Sequence, residues 1–233
     1  MLRDNWVIFK NIDKLSNKLA NDILEVAKAS IKSRNSFKIV LTGGNSILNT
    51  YEILSNSESD WSKWHIYLGD ERRFPAGDKD RNDYMINKAW LNNGLILKEN
   101  IHFIQTELDV NSCTSHYENI LKDVGYFDIV LLSVGEDGHV ASLFPGHLYD
   151  NSKSVVVENN SPKYPKDRVT MTYQRLNKSN NVFKIINGNL KQDAVKLWLN
   201  EQKLPASEVG GLFERVYCCK NSIPIFELKI LLK

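Results

Sequence analysis

An apolar run, Phe127-Asp128-Ile129-Val130-Leu131-Leu132-Ser133-Val134, leads straight into Gly135-Glu136-Asp137-Gly138-His139, so that an acid, a glycine and a histidine stand in one turn. A histidine with its ordinary pKa of about 6.5 can take up and return a proton at neutral pH. In a glycine-flanked turn after a buried strand, it is better placed for such chemistry than a histidine on the packed face of a helix. His65, His102, His116 and His147 lack comparable surroundings, and their spacing gives no metal-binding pattern. Ser142 is not in a G-x-S-x-G elbow, and neither Gly-Gly stretch continues into the Gly-Lys-Ser/Thr of a phosphate-binding loop.

Further polar clusters begin where other apolar runs stop. Gly43-Gly44-Asn45-Ser46 follows "FKIVL", and Asp70-Glu71-Arg72 follows "WHIYLG". Arg168 opens "RVTMT", and Lys191 stands just after Gly188 at the foot of a predicted helix. A Gly-Gly after a strand serves a tight turn as readily as an anion site, although Gly-Gly-Asn-Ser leading into a helix offers exposed backbone amides. Arg72 and Arg73 beside Asp70 and Glu71 read equally as a solvated run or a local ion-pair network.

The elements that must position these groups alternate. Leu15, Leu19, Ile23, Ala27 and Ile31 recur every four residues and predict a first helix of about five turns, with Asp13 as its cap. Strands are expected at "FKIVL", "WHIYLG", "IHFI", "FDIVLLSV", "RVTMTY" and "NVFKII". Helices are expected through Leu48, Tyr51 and Leu54, over Met85 to Leu91, over residues 114 to 123, and from Leu190 to Leu199. In the last thirty residues, "RVYCC" and "IPIFELKILL" fit a strand or a helix. The pattern is α/β: a doubly wound, mostly parallel, Rossmann-like sheet with helices on both faces. Such sheets bind ligands beyond the carboxyl ends of their strands, where the polar clusters would converge.

Composition excludes other classes. With 233 residues and 42% apolar content, the chain is expected to form a single globular domain, 1–233. Its 30 basic and 28 acidic residues are interspersed, so neither a nucleic-acid partner nor a membrane surface is expected. No apolar run approaches the roughly 20 residues that span a bilayer, and the first residues carry no secretory apolar region. Cys113, Cys218 and Cys219 suit a reducing compartment, and the expected location is cytoplasmic.

"FDIVLLSVGEDGHVASLFPG" resembles the signature of the 6-phosphogluconolactonase family, close to F-D-x-x-L-L-G-x-G-x-D-G-H-x-A-S-L-F-P-G. "TGGNS" is similar to the family's S-G-G-S/T loop, "DERRFP" to its D-E-R-x-V-P segment, "RVTMT" to its R-I-T-L-T strand and "GNLK" to its G-x-x-K turn. The resemblance covers roughly residues 6 to 210. Ile47-Leu48 stands where the family has a proline, Arg81-Asn82 where it has Ser-Asn, and Ser133 where it has glycine, and residues 212–233 are atypical.

The resemblance implies hydrolysis of 6-phosphoglucono-1,5-lactone to 6-phosphogluconate in the oxidative pentose phosphate pathway, without a cofactor or metal, by a monomer or weak homodimer. It implies His139 as general base, with Asp137 orienting or supporting its imidazole. It places the phosphosugar on Gly43, Gly44, Asn45, Ser46, Asp70, Arg72, Arg168 and Lys191. Two alternatives remain. Glucosamine-6-phosphate deaminases share the fold and the D-G-H turn but carry a glutamate at the position of Phe144. A catalytically silent sugar-phosphate sensor would keep the scaffold without turnover.

Overall fold

The computed structural model describes residues 4–225. Five strands expected from their apolar runs form: β2 (Phe37–Leu41), β3 (Trp64–Leu68), β5 (Ile101–His102, the first half of "IHFI"), β6 (Phe127–Ser133) and β9 (Ser179–Ile186). With β1 (Trp6–Phe9) and β10 (Phe213–Cys219), they build a seven-stranded sheet in the order β1-β10-β9-β6-β2-β3-β5. Every pairing in it is parallel, as the continuous apolar character of the strands requires of a sheet covered on both faces. The fold is doubly wound α/β. Arg215 to Cys219 lie in β10, while residues 226–233 of the C-terminal segment fall outside the described residues.

"RVTMTY" is not part of that sheet. Its core, β8 (Arg168–Met171), pairs antiparallel with β4 (Asp70–Arg72) and β7 (Val155–Glu158) in a separate three-stranded sheet. Gly69 is the junction. Its amide donates to Leu41 at the end of β2 (3.2 Å), and its carbonyl accepts from Met171 in β8 (2.8 Å), so the chain passes from one sheet to the other within a residue.

The first helix, α1 (Ile12–Arg34), buries Leu15, Leu19, Ile23 and Ala27 completely. Each of the larger three contributes about 1.5–3 kcal/mol by leaving water. Its cap is Asn11 rather than Asp13: the Asn11 side chain accepts from the Lys14 amide, while Asp13 stands inside the first turn. Asn35, at φ 54°, closes the other end through its amide to Ile31. The buried Asp128 of β6 then ties three elements together. Its carboxylate accepts from Ser30 (3.1 Å) and Arg34 of α1 and from the Lys38 amide of β2 (2.9 Å).

The remaining helices are α2 (Leu48–Ser55), α3 (Asn82–Ala89), α4 (Val110–Leu121), α5 (Tyr173–Asn177), α6 (Gln192–Leu199) and α7 (Pro205–Glu208). Two of them pin strand ends. Tyr51 of α2 donates to the Thr42 carbonyl (2.8 Å) and accepts from its amide (3.0 Å). Tyr117 of α4 does the same at Leu68 (2.8 and 2.9 Å). Backbone groups that run out of ladder partners at the carboxyl ends of β2 and β3 are thus satisfied by buried hydroxyls. From β2 the chain winds toward β3 and β5, and from β6 toward β9 and β10, so the crevice between β2 and β6 is the switch point of the sheet.

Candidate active site

The loops that follow β2 and β6 open at this switch point, and a cavity of about 250 Å³ lies between them. Gly43, Gly44, Asp70, Arg72, His139, Arg168 and Lys191 all line it. Of the residues expected from sequence, Asn45, Ser46 and Asp137 do not form its wall. A wider cleft of about 670 Å³ runs beside α4 and β7, but its walls hold no histidine and a single ammonium, Lys153.

The turn after β6 is tightly closed. The Gly135 amide donates to the His139 carbonyl (2.8 Å), the Gly138 amide to the Gly135 carbonyl (3.2 Å), and the Ala206 amide at α7 to the Gly138 carbonyl (2.9 Å). His139 Nδ1 lies 2.5 Å from Asp137 Oδ1, and the same oxygen accepts the His139 amide at 3.2 Å. Burial works against ionisation of Asp137. The hydrogen bonds and charge of His139 outweigh it and hold the carboxyl well below the usual carboxylate range. A carboxylate at that distance accepts a hydrogen bond from Nδ1–H, which in the neutral imidazole leaves Nε2 as the acceptor nitrogen. The ring packs on bare backbone: a Cβ at Gly135 would stand 2.0 Å from Nδ1.

The glycine loop has its own close approach. A Cβ at Gly43 would fall 1.9 Å from Asn82 Oδ1, so Asn82 of α3 reaches the cavity only because Gly43 has no side chain. No amide from Gly43 to Ser46 donates to a described residue. Asp70, 5% exposed, accepts from Ser142 Oγ (2.6 Å) and Asn82 Nδ2 (3.3 Å).

Neither sequence reading of the Asp70-Glu71-Arg72-Arg73 segment as a solvated run or an ion-pair network describes it. Glu71 is fully buried and caps α3, accepting from the amides of Arg72 (2.7 Å), Asn82 (2.8 Å) and Asp83 (2.8 Å). Arg72 donates to the Asp80 carbonyl (2.6 Å). Arg168, 4% exposed, spends Nε and Nη2 on the carbonyls of Pro165, Lys163 and Tyr164, leaving Nη1 without a hydrogen-bond partner among the described residues. Burial pulls its pKa down, and the nearby Asp70 carboxylate opposes that.

A family model described as glucosamine-6-phosphate isomerases/6-phosphogluconolactonase matches residues 10–217. The chain belongs to that family. It is 30% identical over 220 residues to the 6-phosphogluconolactonase of Thermotoga maritima, covering 93% of this chain and 95% of that one. It is 31% identical over 221 residues to a probable 6-phosphogluconolactonase 2 of Oryza sativa subsp. indica, covering 85% and 78%. The crystal structure of the Thermotoga maritima enzyme superposes with a TM-score of 0.82 at 28% identity, over 92% of this chain and 99% of that one. A monomeric glucosamine-6-phosphate deaminase has a TM-score of 0.80 at 19% identity, over 94% and 98%, and shares the fold.

Within this family the site has features that sequence reasoning missed. Asn82, Ser133, Lys163 and Tyr164 also line the cavity. For Asn82 and Ser133 the signal was present, since both stand at motif positions. For Lys163 there was none, because it sits in a loop of irregular structure between β7 and β8. Phe144, at the position of the deaminase glutamate, is 1% exposed with its ring 4.7 Å from that of His139 and 5.7 Å from the Arg168 guanidinium carbon.

Proposed function

We propose that the chain hydrolyses 6-phosphoglucono-1,5-lactone to 6-phosphogluconate with His139 as general base. The observation that carries this is the His139–Asp137 pair at 2.5 Å beside a cavity lined by Arg72, Arg168 and Lys191. A lactone carbonyl needs an activated water, a donor for the developing oxyanion and a proton for the leaving ring oxygen. His139 Nε2 takes a proton as the water oxygen bonds to C1. The imidazolium, its Nδ1 proton held by Asp137, then returns the proton to the ring oxygen as the C1–O bond breaks. The product carboxyl ionises at neutral pH. The amides of Gly43 and Gly44, which donate to no described residue, and the guanidinium of Arg168 are available to anionic oxygens of phosphate or tetrahedral intermediate.

The deaminase alternative is disfavoured by Phe144, which puts an apolar ring where ring opening and isomerisation call on a carboxyl group. Catalysis also separates an enzyme from a silent sensor. Glucose-6-phosphate dehydrogenase generates the lactone in situ, and its decay is followed without protein, with wild type and with His139→Ala. Acceleration by wild type and loss of about 10²–10⁴-fold in the variant is expected. Equal decay with wild type and without protein refutes the catalytic assignment. No helix among the described residues is long and apolar enough to cross a membrane. Cys113, Cys218 and Cys219 are buried free thiols, which fits a reducing setting, and a cytoplasmic location is part of this proposal.

A further inference from the structure

Two ammonium groups line the cavity, and the sequence singled out only one of them. Lys191 is half-buried, and its ammonium makes no hydrogen bond or ion pair with a described residue. Lys163 lines the same cavity, and its Nζ is 3.6 Å from Glu136 Oε2, a loose contact between partly exposed side chains. Burial, then the charge of Lys163, push the Lys191 ammonium below its ordinary range, while Glu136 and Asp137 counteract them. Like charges gathered without a tight counter-ion are costly until an anion arrives.

The backbone of Lys163 is fixed. Its carbonyl accepts from Arg168 Nη2 (3.3 Å) and Ser161 Oγ (2.7 Å), and its amide donates to Ser161 Oγ (3.1 Å). Arg168, expected from sequence as a substrate cation, therefore also anchors the loop that presents a second cation. Glu136, meanwhile, sits in the turn that carries His139 and lends Lys163 a carboxylate.

We propose that Lys163 is a specificity-determining residue that binds the phosphate dianion of the substrate together with Lys191, and that Glu136 is a placeholder anion displaced from Lys163 when the phosphate enters. A dianion offers more acceptor oxygens and more charge than one carboxylate, so the exchange is favourable while the empty site stays neutralised. The proposal rests on the phosphosugar reading of the site, but it is tested by binding rather than turnover.

Calorimetry with 6-phosphogluconate and, as control, gluconate is run on wild type, Lys163→Met, Glu136→Gln and the double variant. Lys163→Met is expected to weaken 6-phosphogluconate binding about 10- to 100-fold, the range of one charge-assisted hydrogen bond. Glu136→Gln is expected to tighten it about 2- to 5-fold, the reach of a partly exposed ion pair, and that gain is expected to vanish in the double variant. Weaker binding by Glu136→Gln, or its gain persisting without Lys163, overturns the placeholder role. Unchanged binding by Lys163→Met overturns the phosphate assignment. If wild type binds 6-phosphogluconate in the expected pattern yet fails to hydrolyse the lactone, only the catalytic reading falls. If it binds neither ligand, both fall.

Discussion

A methyl group at position 135 would act as a wedge under the His139 imidazole. Gly135 does not have a positive φ, so alanine can adopt its backbone conformation and any effect comes from the side chain alone. The new Cβ would stand 2.0 Å from Nδ1, 2.1 Å from Cε1 and 2.7 Å from Cγ. Ordinary contact begins at 3.4 Å, so the ring must retreat by the difference from 2.0 Å, about 1.4 Å. A shift of that size can break the 2.5 Å hydrogen bond to Asp137 and carry Nε2 away from the attacking water. Misplacing a reacting group by about 1 Å costs about 10²-fold, so Gly135→Ala is expected to lower kcat about 100-fold, or about 2.7 kcal/mol in the barrier. KM is expected to stay within about threefold, because the cationic wall is untouched. The assay is the coupled lactone decay, with circular dichroism to establish that the variant is folded. A folded Gly135→Ala protein with kcat within about threefold of wild type would refute the inference that His139 must occupy this position.

Other expectations follow from the same geometry. Asp137→Asn removes the charge that holds the Nδ1 proton and stabilises the imidazolium, and is expected to lower kcat about 10- to 100-fold, read as a kcat loss larger than any KM change. Burial pushes the Glu71 carboxyl up to about 7, against the hydrogen bond from the Asn82 amide and with a further push from the charge of Asp83. A raised carboxyl pKa means that the folded protein holds this proton where the unfolded chain has lost it. Its stabilising contribution is therefore complete below about pH 4.5 and lost as pH rises through about 7, by up to about 3 kcal/mol. Thermal unfolding between pH 4.5 and 8 should show a flatter Tm profile for Glu71→Gln than for wild type, and parallel profiles would contradict this account.

Much of the central sheet could be read from one dimension because its strands carry their own signal. Phe37–Leu41, Trp64–Leu68 and Phe127–Ser133 are mostly apolar and buried along nearly their whole length, and the every-fourth-residue pattern of Leu15, Leu19, Ile23 and Ala27 has one stable solution, a helix lying on a core. β1 was not anticipated, since its four residues, "WVIF", are too few to show a period. "RVTM" reads as buried strand in either sheet, and only its partners, β4 and β7, decide that it pairs antiparallel. Pairing is a long-range property: Arg72 meets Arg168 across nearly a hundred residues, and no local propensity encodes that choice.

The sequence by itself determined the turn from Gly135 to His139 and the glycine loop after β2, because each is a local backbone solution written in adjacent residues. It also carried the motif order that placed the chain in its family. The tertiary structure alone decided that Glu71 caps a helix instead of pairing with arginine, that Gly43 makes room for Asn82, and that Lys163 joins Lys191 in lining one cavity. Those three depend on which surfaces meet when two sheets and the helices around them pack. Steric room and electrostatic company belong to that packed arrangement, and no single stretch of chain contains them.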